Sequence, residues 1–129
     1  MKFIRIAAVS GVIAVVLGAF GAHSLKSMLT PELMQTFETG VKYQFYHTIA
    51  LLFTGLFMNF FPSKTLNMAA ISFIAGICCF SGSLYLLATR SLLGIENTAI
   101  LGPVTPIGGL LFIVGWILLF IAAGRAKKI

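Results

Sequence analysis

Phe3 to Ala22 reads FIRIAAVSGVIAVVLGAFGA, 20 residues with a single charge, Arg5. A helix rises about 1.5 Å per residue and the hydrocarbon core of a bilayer is about 30 Å thick, so a stretch of this length and polarity crosses it. Arg5 stands near enough to the start to snorkel to the interface. The same stretch has the basic start, apolar middle and small-residue end, Ala19-Phe20-Gly21, of a secretory signal. Its apolar run is longer than a usual signal core, however, and three further spans follow rather than a soluble domain. It is therefore read as a retained helix.

Those further spans cover about Val41–Phe61, Leu66–Thr89 and Val104–Ala123. With the first they predict an all-α fold: one integral membrane domain over residues 1–129, a four-transmembrane-helix bundle. Composition agrees. Of the 129 residues 59% are hydrophobic and 9% charged, and the mean hydropathy is +1.04. Soluble domains carry about 25% charged residues, so a soluble enzyme, a disordered tail and a classical nucleic-acid binder are all excluded in favour of the membrane. The net charge of +6 sits at the ends of the apolar runs, where it sets topology.

One side of the membrane would hold Lys2, Arg5, Lys64, Arg125, Lys127 and Lys128, with no acid. The other would hold Lys26, Lys42 and Arg90 against Glu32, Glu38 and Glu96. The positive-inside rule then places both termini in the cytoplasm. The outer connection after the first span contains a helix start: Thr30 as N-cap, Pro31 at the first helical position and Glu32 near the positive end of the dipole. Leu33, Met34, Phe37 and Val41 recur at helical spacing, predicting a short amphipathic outer helix that leads through Gly40 into the second span. Thr105-Pro106 reads as a second cap and first helical residue, opening the fourth helix. Pro62 to Thr65 is only a tight turn, so spans two and three form an antiparallel hairpin.

Lipid supplies no hydrophobic pull between helices, so small residues carry close approach. Ser10, Ala14, Gly18 and Ala22 form one such stripe; Ser72, Ala75, Gly76, Cys79 and Ser83 supply others, as do Gly108, Gly109 and Gly115. Burial within one chain is favoured over burial against a second copy. Cys78 and Cys79 point apart on a helix, make a poor disulfide and are read as small buried residues. Trp116 lies too deep for an interfacial belt and is expected between helices. The tail cations Arg125, Lys127 and Lys128 are expected to anchor in anionic headgroups.

Polar residues inside spans are costly and hence informative. His23, Tyr43, Gln44, Tyr46, His47, Ser81, Ser83, Tyr85 and Thr105 gather in the outer half, while the inner half is almost wholly apolar. Tyr43 and His47 share a helical face, as do Ser81 and Tyr85. The candidate ligand- or lipid-binding set is His23, Tyr43, Gln44, His47, Ser81, Tyr85 and Thr105, pictured as a polar pocket under the amphipathic helix. The competing reading is that these residues are interhelical hydrogen bonds, at about 0.6 kcal/mol each. His23 is better placed to cap its helix's last carbonyls than to bind metal. No Cys or carboxylate joins the two histidines at ligand spacing, so neither a metal nor another cofactor is expected. No phosphate loop, nucleophile elbow or zinc motif occurs.

The strings Gly18-Ala19-Phe20-Gly21-Ala22-His23, Tyr43-Gln44-Phe45-Tyr46-His47, Phe80-Ser81-Gly82-Ser83-Leu84-Tyr85 and Gly102-Pro103-Val104-Thr105-Pro106-Ile107-Gly108-Gly109 resemble those of the family catalogued as domain of unknown function 423. That family covers YgdD- and YwdK-like small membrane proteins and membrane stabilizing protein A. The resemblance runs over essentially the whole chain. It implies a four-helix integral protein of the bacterial inner membrane and a role in membrane integrity, without supplying a reaction. The expected function is thus non-enzymatic: supporting the envelope by binding membrane lipids or a membrane-protein partner, with a homo-oligomer possible and no nucleic acid involved. The alternative is a small oligomeric transporter or channel with its polar site in the outer leaflet. A third reading, a redox carrier using His23, His47 and the tyrosines, has a thin catalytic set with no intramembrane carboxylate.

Overall fold

The computed structural model describes residues 1–126 and contains four long helices. α1 is Lys2–His23. α2 is Pro31–Phe60. α3 is Lys64–Thr89, with a π-helical turn at Ile77–Ser81. α4 is Leu101–Ala126. Among the described residues every regular element is helical. α1, α3 and α4 are long and apolar enough to cross a membrane. α2 is longer still but more polar, because Tyr43, Gln44, Tyr46, His47 and Asn59 interrupt its apolar run.

The expected outer helix is not a separate element. Pro31–Phe60 is one helix of 30 residues, about 45 Å long, and Gly40 does not break it. Glycine inside a helix costs only about 1 kcal/mol, and here its missing side chain makes room for a neighbour: a Cβ at Gly40 would lie 2.8 Å from Tyr85 Cε1. The start is as expected, since the Thr30 hydroxyl accepts from Leu33 N–H at 3.4 Å and Pro31 follows it. Met34 and Phe37 then pack on Leu25 and Leu29, beyond the end of α1, and on Ala88 of α3. The amphipathic face is thus buried against the bundle's own end.

α4 begins three residues earlier than expected. Leu101 N–H donates to Thr98 O at 3.0 Å and starts the helix, so Pro106 lies inside it. Thr105 is therefore not its cap; its hydroxyl bonds within the bundle instead. Ser63 caps α3, accepting from Leu66 N–H at 3.1 Å. Gly94, at φ +67°, turns the chain away after α3.

α1 lies along α2, α2 along α3, and α3 along α4. Phe3 and Ala7 of α1, Ala50 and Leu51 of α2, Ala70 and Phe73 of α3 and Phe112 of α4 share one core cluster. The glycines bury inside the chain, as expected. Gly76 faces Phe112, Gly115 faces Phe73, and Gly108 meets the backbone of Phe80. On α1 the buried stripe is Phe3, Ala7, Ala14 and Gly21, whereas Ala22 is exposed. Cys78 is exposed and Cys79 half-buried, which corrects their reading as buried; the π-helical turn carries both of them at the helix surface. Trp116 is 49% exposed, so only one edge of it packs between helices.

The two ends of the bundle differ in charge. Asn59 Nδ2 reaches Met1 Sδ at 3.5 Å and Arg125 reaches the Thr65 hydroxyl at 3.5 Å. Lys2, Arg5, Lys64 and Arg125 therefore share one end, which carries no acid. Glu32, Glu38 and Glu96 lie towards the other. Lys127 and Lys128 lie outside the described residues.

Candidate functional site

The buried face of α2 presents Gly40, Gln44, His47, Thr48 and Leu51, spaced by three or four residues so that they stand one above another. A buried amide or hydroxyl must find a partner or lose a large solvation energy. Each of these polar groups finds it on a neighbouring helix or in the local backbone.

Towards α1, Gln44 Nε2 donates to Ser10 O at 3.0 Å, and the Ser10 and Thr48 hydroxyls lie 2.6 Å apart. Towards α3, Tyr85 Oη donates to Gln44 Oε1 at 2.6 Å. Gln44 thus joins three helices through its two amide ends. One turn nearer the start of α2, Gly40 O accepts from Ser81 Oγ at 2.7 Å. The π-helical turn that ends at Ser81 inserts an extra residue into α3, and such turns recur at functional sites. Beyond it Ser83 and Thr105 link α3 to α4 through hydroxyls 2.6 Å apart.

His47 faces α4. Its Nδ1 lies 2.8 Å from Tyr43 O, and its Nε2 accepts from Trp116 Nε1–H at 3.3 Å. A carbonyl can only accept and an indole N–H can only donate. Nδ1 therefore carries the proton, Nε2 is the bare nitrogen, and the ring is neutral. The imidazole stacks on Phe112 with centroids 3.4 Å apart and planes 8° from parallel, and Phe73 and Tyr43 rings close around it. With both nitrogens engaged, His47 has no free lone pair for a metal.

Of the residues singled out by polarity, Gln44, His47, Ser81, Tyr85 and Thr105 are brought into this set of bonds. Tyr43 joins through its carbonyl and its ring, which lies 4.6 Å from that of Phe80, while its side chain is 40% exposed. His23 does not join. It is exposed at the end of α1, where the last turn is closed by Ser24 N–H on Phe20 O. Ser10 and Thr48 are members that polarity alone did not single out. The available signals were a hydroxyl inside an otherwise apolar first span and a threonine four residues after Gln44.

The residues expected around a polar pocket under the amphipathic helix bond largely to one another. Among the described residues no buried side-chain nitrogen or oxygen lacks a hydrogen-bond partner, and no three His, Cys, Asp or Glu side chains come together. The set contains amides, hydroxyls and a neutral imidazole, and no carboxylate. Its bonds join all four helices.

Outside the bundle core, Glu32 sits in the exposed first turn of α2. Its own backbone N–H and the Thr30 hydroxyl hold its carboxyl below the ordinary value of 4.5.

Residues 17–109 match the family described as "Protein of unknown function (DUF423)". Over 120 residues, 93% of each chain, the protein is 42% identical to a UPF0382 membrane protein of Staphylococcus aureus strain bovine RF122. It is 38% identical over 128 residues to a UPF0382 membrane protein of Haemophilus influenzae, covering 99% of this chain and 98% of that one. It is 38% identical over 122 residues to the UPF0382 inner membrane protein YgdD of Escherichia coli K12, covering 95% and 88%. No solved structure matches the chain. The protein belongs to this family and is a membrane protein.

Proposed function

From this membership in the DUF423 family, we propose that the chain is a non-enzymatic protein of the bacterial inner membrane that supports membrane integrity by contact with lipid. It crosses the bilayer four times, with both termini in the cytoplasm. α2 is the second of these spans: Val41 to Phe60 is 20 residues, about 30 Å, which matches the hydrocarbon core. Its first ten residues extend past the core on the outer side, where Glu32 and Glu38 meet water. The orientation is supported by the acid-free cationic end formed by Lys2, Arg5, Lys64 and Arg125.

The observation that carries this reading is the closure of the polar set on itself. Polar groups that faced a substrate path would need free donors or acceptors along it. Here the buried ones are spent on neighbouring helices or local backbone, the Tyr43 and Tyr46 side chains being exposed, and towards the cationic end the core is built around Phe3, Ala7, Leu51, Ala70 and Phe73, with the Thr54 hydroxyl bonded to its own helix. What the protein offers outward is a continuous apolar surface: Val12 65%, Val15 64%, Phe53 64%, Leu110 62% and Phe120 81% exposed. That surface is matched to acyl chains.

The test is a deletion strain assayed for uptake of a dye that an intact membrane excludes, with the wild-type chain restored in parallel, alongside native mass spectrometry of gently extracted protein. Raised uptake reversed by the wild-type chain, together with retained phospholipid, is the expected result. Unchanged uptake and a lipid-free protein would end the proposal. Flux of a solute into proteoliposomes, abolished by His47→Ala, would replace it with the transporter reading.

A further inference from the structure

α1 packs on α2 but makes at most marginal contact with α3, so a groove opens between α1 and α3. Ile6, Val9 and Ile13 face Ile77 and Cys78 across it, over Gln44, and its volume is about 190 Å³. Both ends of the Gln44 amide are already bonded, to Ser10 and to Tyr85, so the groove asks nothing polar of whatever fills it. It does not close at Ile6. Ile6 and Val9 also line a more open depression of about 410 Å³ whose other walls are Lys2 and Arg5. An apolar slot thus runs into a pair of cations.

We propose that this groove seats one acyl chain of an anionic phospholipid, whose phosphate is held by Lys2 and Arg5. The dimensions fit a single leaflet. Arg5 to Ile13 is eight residues, about 12 Å along the helix, within the roughly 15 Å that is half of the hydrocarbon core. A helix from a second copy is a poor occupant on two grounds. A helix with its side chains is about 10–12 Å across and does not enter a groove of this volume. A symmetric pair on this face would also set Lys2 and Arg5 of one copy against those of the other. An anionic headgroup relieves the same two charges, each cation adding to the attraction.

The assignment rests on the lipid-contact reading above, and the test separates the two. Full-length protein carrying Cys79→Ala keeps Cys78, in the groove wall, as its single thiol. It is reconstituted at low density in phosphatidylcholine vesicles with or without phosphatidylglycerol, and Cys78 is alkylated with a bilayer-soluble maleimide. Phosphatidylglycerol should slow the reaction several-fold, and the double variant Lys2→Gln, Arg5→Gln should lose that slowing. Both residues are exposed, Lys2 lying 4.8 Å over the Phe3 ring, and an unchanged helical circular-dichroism spectrum checks that the charge variant is folded. Native mass spectrometry from the same vesicles should find one phosphatidylglycerol retained over phosphatidylcholine by on the order of ten-fold. None should be retained on Val9→Trp, which fills the groove from a position 59% exposed. Equal alkylation rates in the two vesicles, or slowing that survives in the charge variant, would overturn the assignment. Lipid still bound to Val9→Trp would leave lipid contact standing and remove the groove from it. Protection that rises with protein density in phosphatidylcholine alone would put a second copy there, and would also overturn it.

Discussion

Replacing Gly108 by alanine tests the seam on which the polar set depends. A Cβ at Gly108 would lie 2.7 Å from Phe80 Cα, closer still to Phe80 N. Carbon atoms rest at about 3.5–4.0 Å, so α3 and α4 would have to separate by about 0.8 Å at this crossing. The obstacle is backbone, which cannot swing aside as a side chain would. The same seam holds Gly115 against Phe73 and Gly76 against Phe112, so the displacement would propagate to both. Overpacking of this kind costs about 1–3 kcal/mol, and the backbone contact places Gly108→Ala at the upper end. Gly82→Ala is the control, because a Cβ there meets nothing within 4 Å. Alanine gains the same helix propensity at both sites, about 0.8–1.0 kcal/mol, so the difference between the two variants isolates the clash. Reversible unfolding in mixed micelles, followed by helical circular dichroism, measures it. A Gly108→Ala stability within about 0.5 kcal/mol of Gly82→Ala would refute the crossing geometry.

Other outcomes follow from individual bonds. In a double-mutant cycle, Gln44→Leu and Tyr85→Phe should couple by about 0.6 kcal/mol and no more than about 1.7; zero coupling would mean that the 2.6 Å contact between them is not formed. Thr30→Ala removes the cap of α2 and should cost about 1 kcal/mol, seen as earlier hydrogen exchange at residues 32–36, with no change in exchange near His47. The Glu32 carboxyl is held below its ordinary value of 4.5, so its contribution is fully present above that pH and is lost as pH falls through the lower folded-state value. Glu32→Gln should remove that acid-side slope from the unfolding curve, and an unchanged slope would assign it elsewhere. His47→Phe keeps the stack on Phe112 but takes the acceptor from Trp116, the chain's single tryptophan, so its emission should move to shorter wavelength; an unmoved spectrum would deny the 3.3 Å bond.

How much of this was legible depended on whether a feature is local. Apolar length is local, and α1, α3 and α4 were readable from it to within about three residues at each end. The Thr30-Pro31 start of α2 is local as well and was read correctly. Gly40 misled because a glycine in sequence carries two meanings, a break or a close approach, and only the neighbouring Tyr85 ring decides between them. Thr105 misled in the same way: a threonine before a proline has the form of a cap, but Thr98 two turns earlier had already begun the helix. The polar residues within the spans were recognisable by type, yet their pairing was not. That Gln44 would bond Ser10 and Tyr85 depends on which helices adjoin α2. The π-helical turn at Ile77–Ser81 has no proline or glycine inside it, and nothing in those five residues announces it.

The placement of the polar set has a mechanical consequence. Within this set, among the described residues, six side-chain bonds join neighbouring helices: Ser10–Thr48, Gln44–Ser10, Tyr85–Gln44, Ser81–Gly40, Ser83–Thr105 and Trp116–His47. At about 0.6 kcal/mol each they sum to roughly 3–4 kcal/mol, a sizeable part of the 5–15 kcal/mol by which a typical fold is stable. Most of that stabilisation lies towards the Glu32 end. At the Lys2 end the helices meet around Phe3, Ala70 and Phe73, where the buried Thr54 hydroxyl bonds its own helix at Ala50 O and the contacts between helices from polar side chains are the two at 3.5 Å, Asn59–Met1 and Arg125–Thr65. The groove between α1 and α3 opens towards that end, so an acyl chain seated there would pack between two helices that, among the described residues, share no side-chain hydrogen bond.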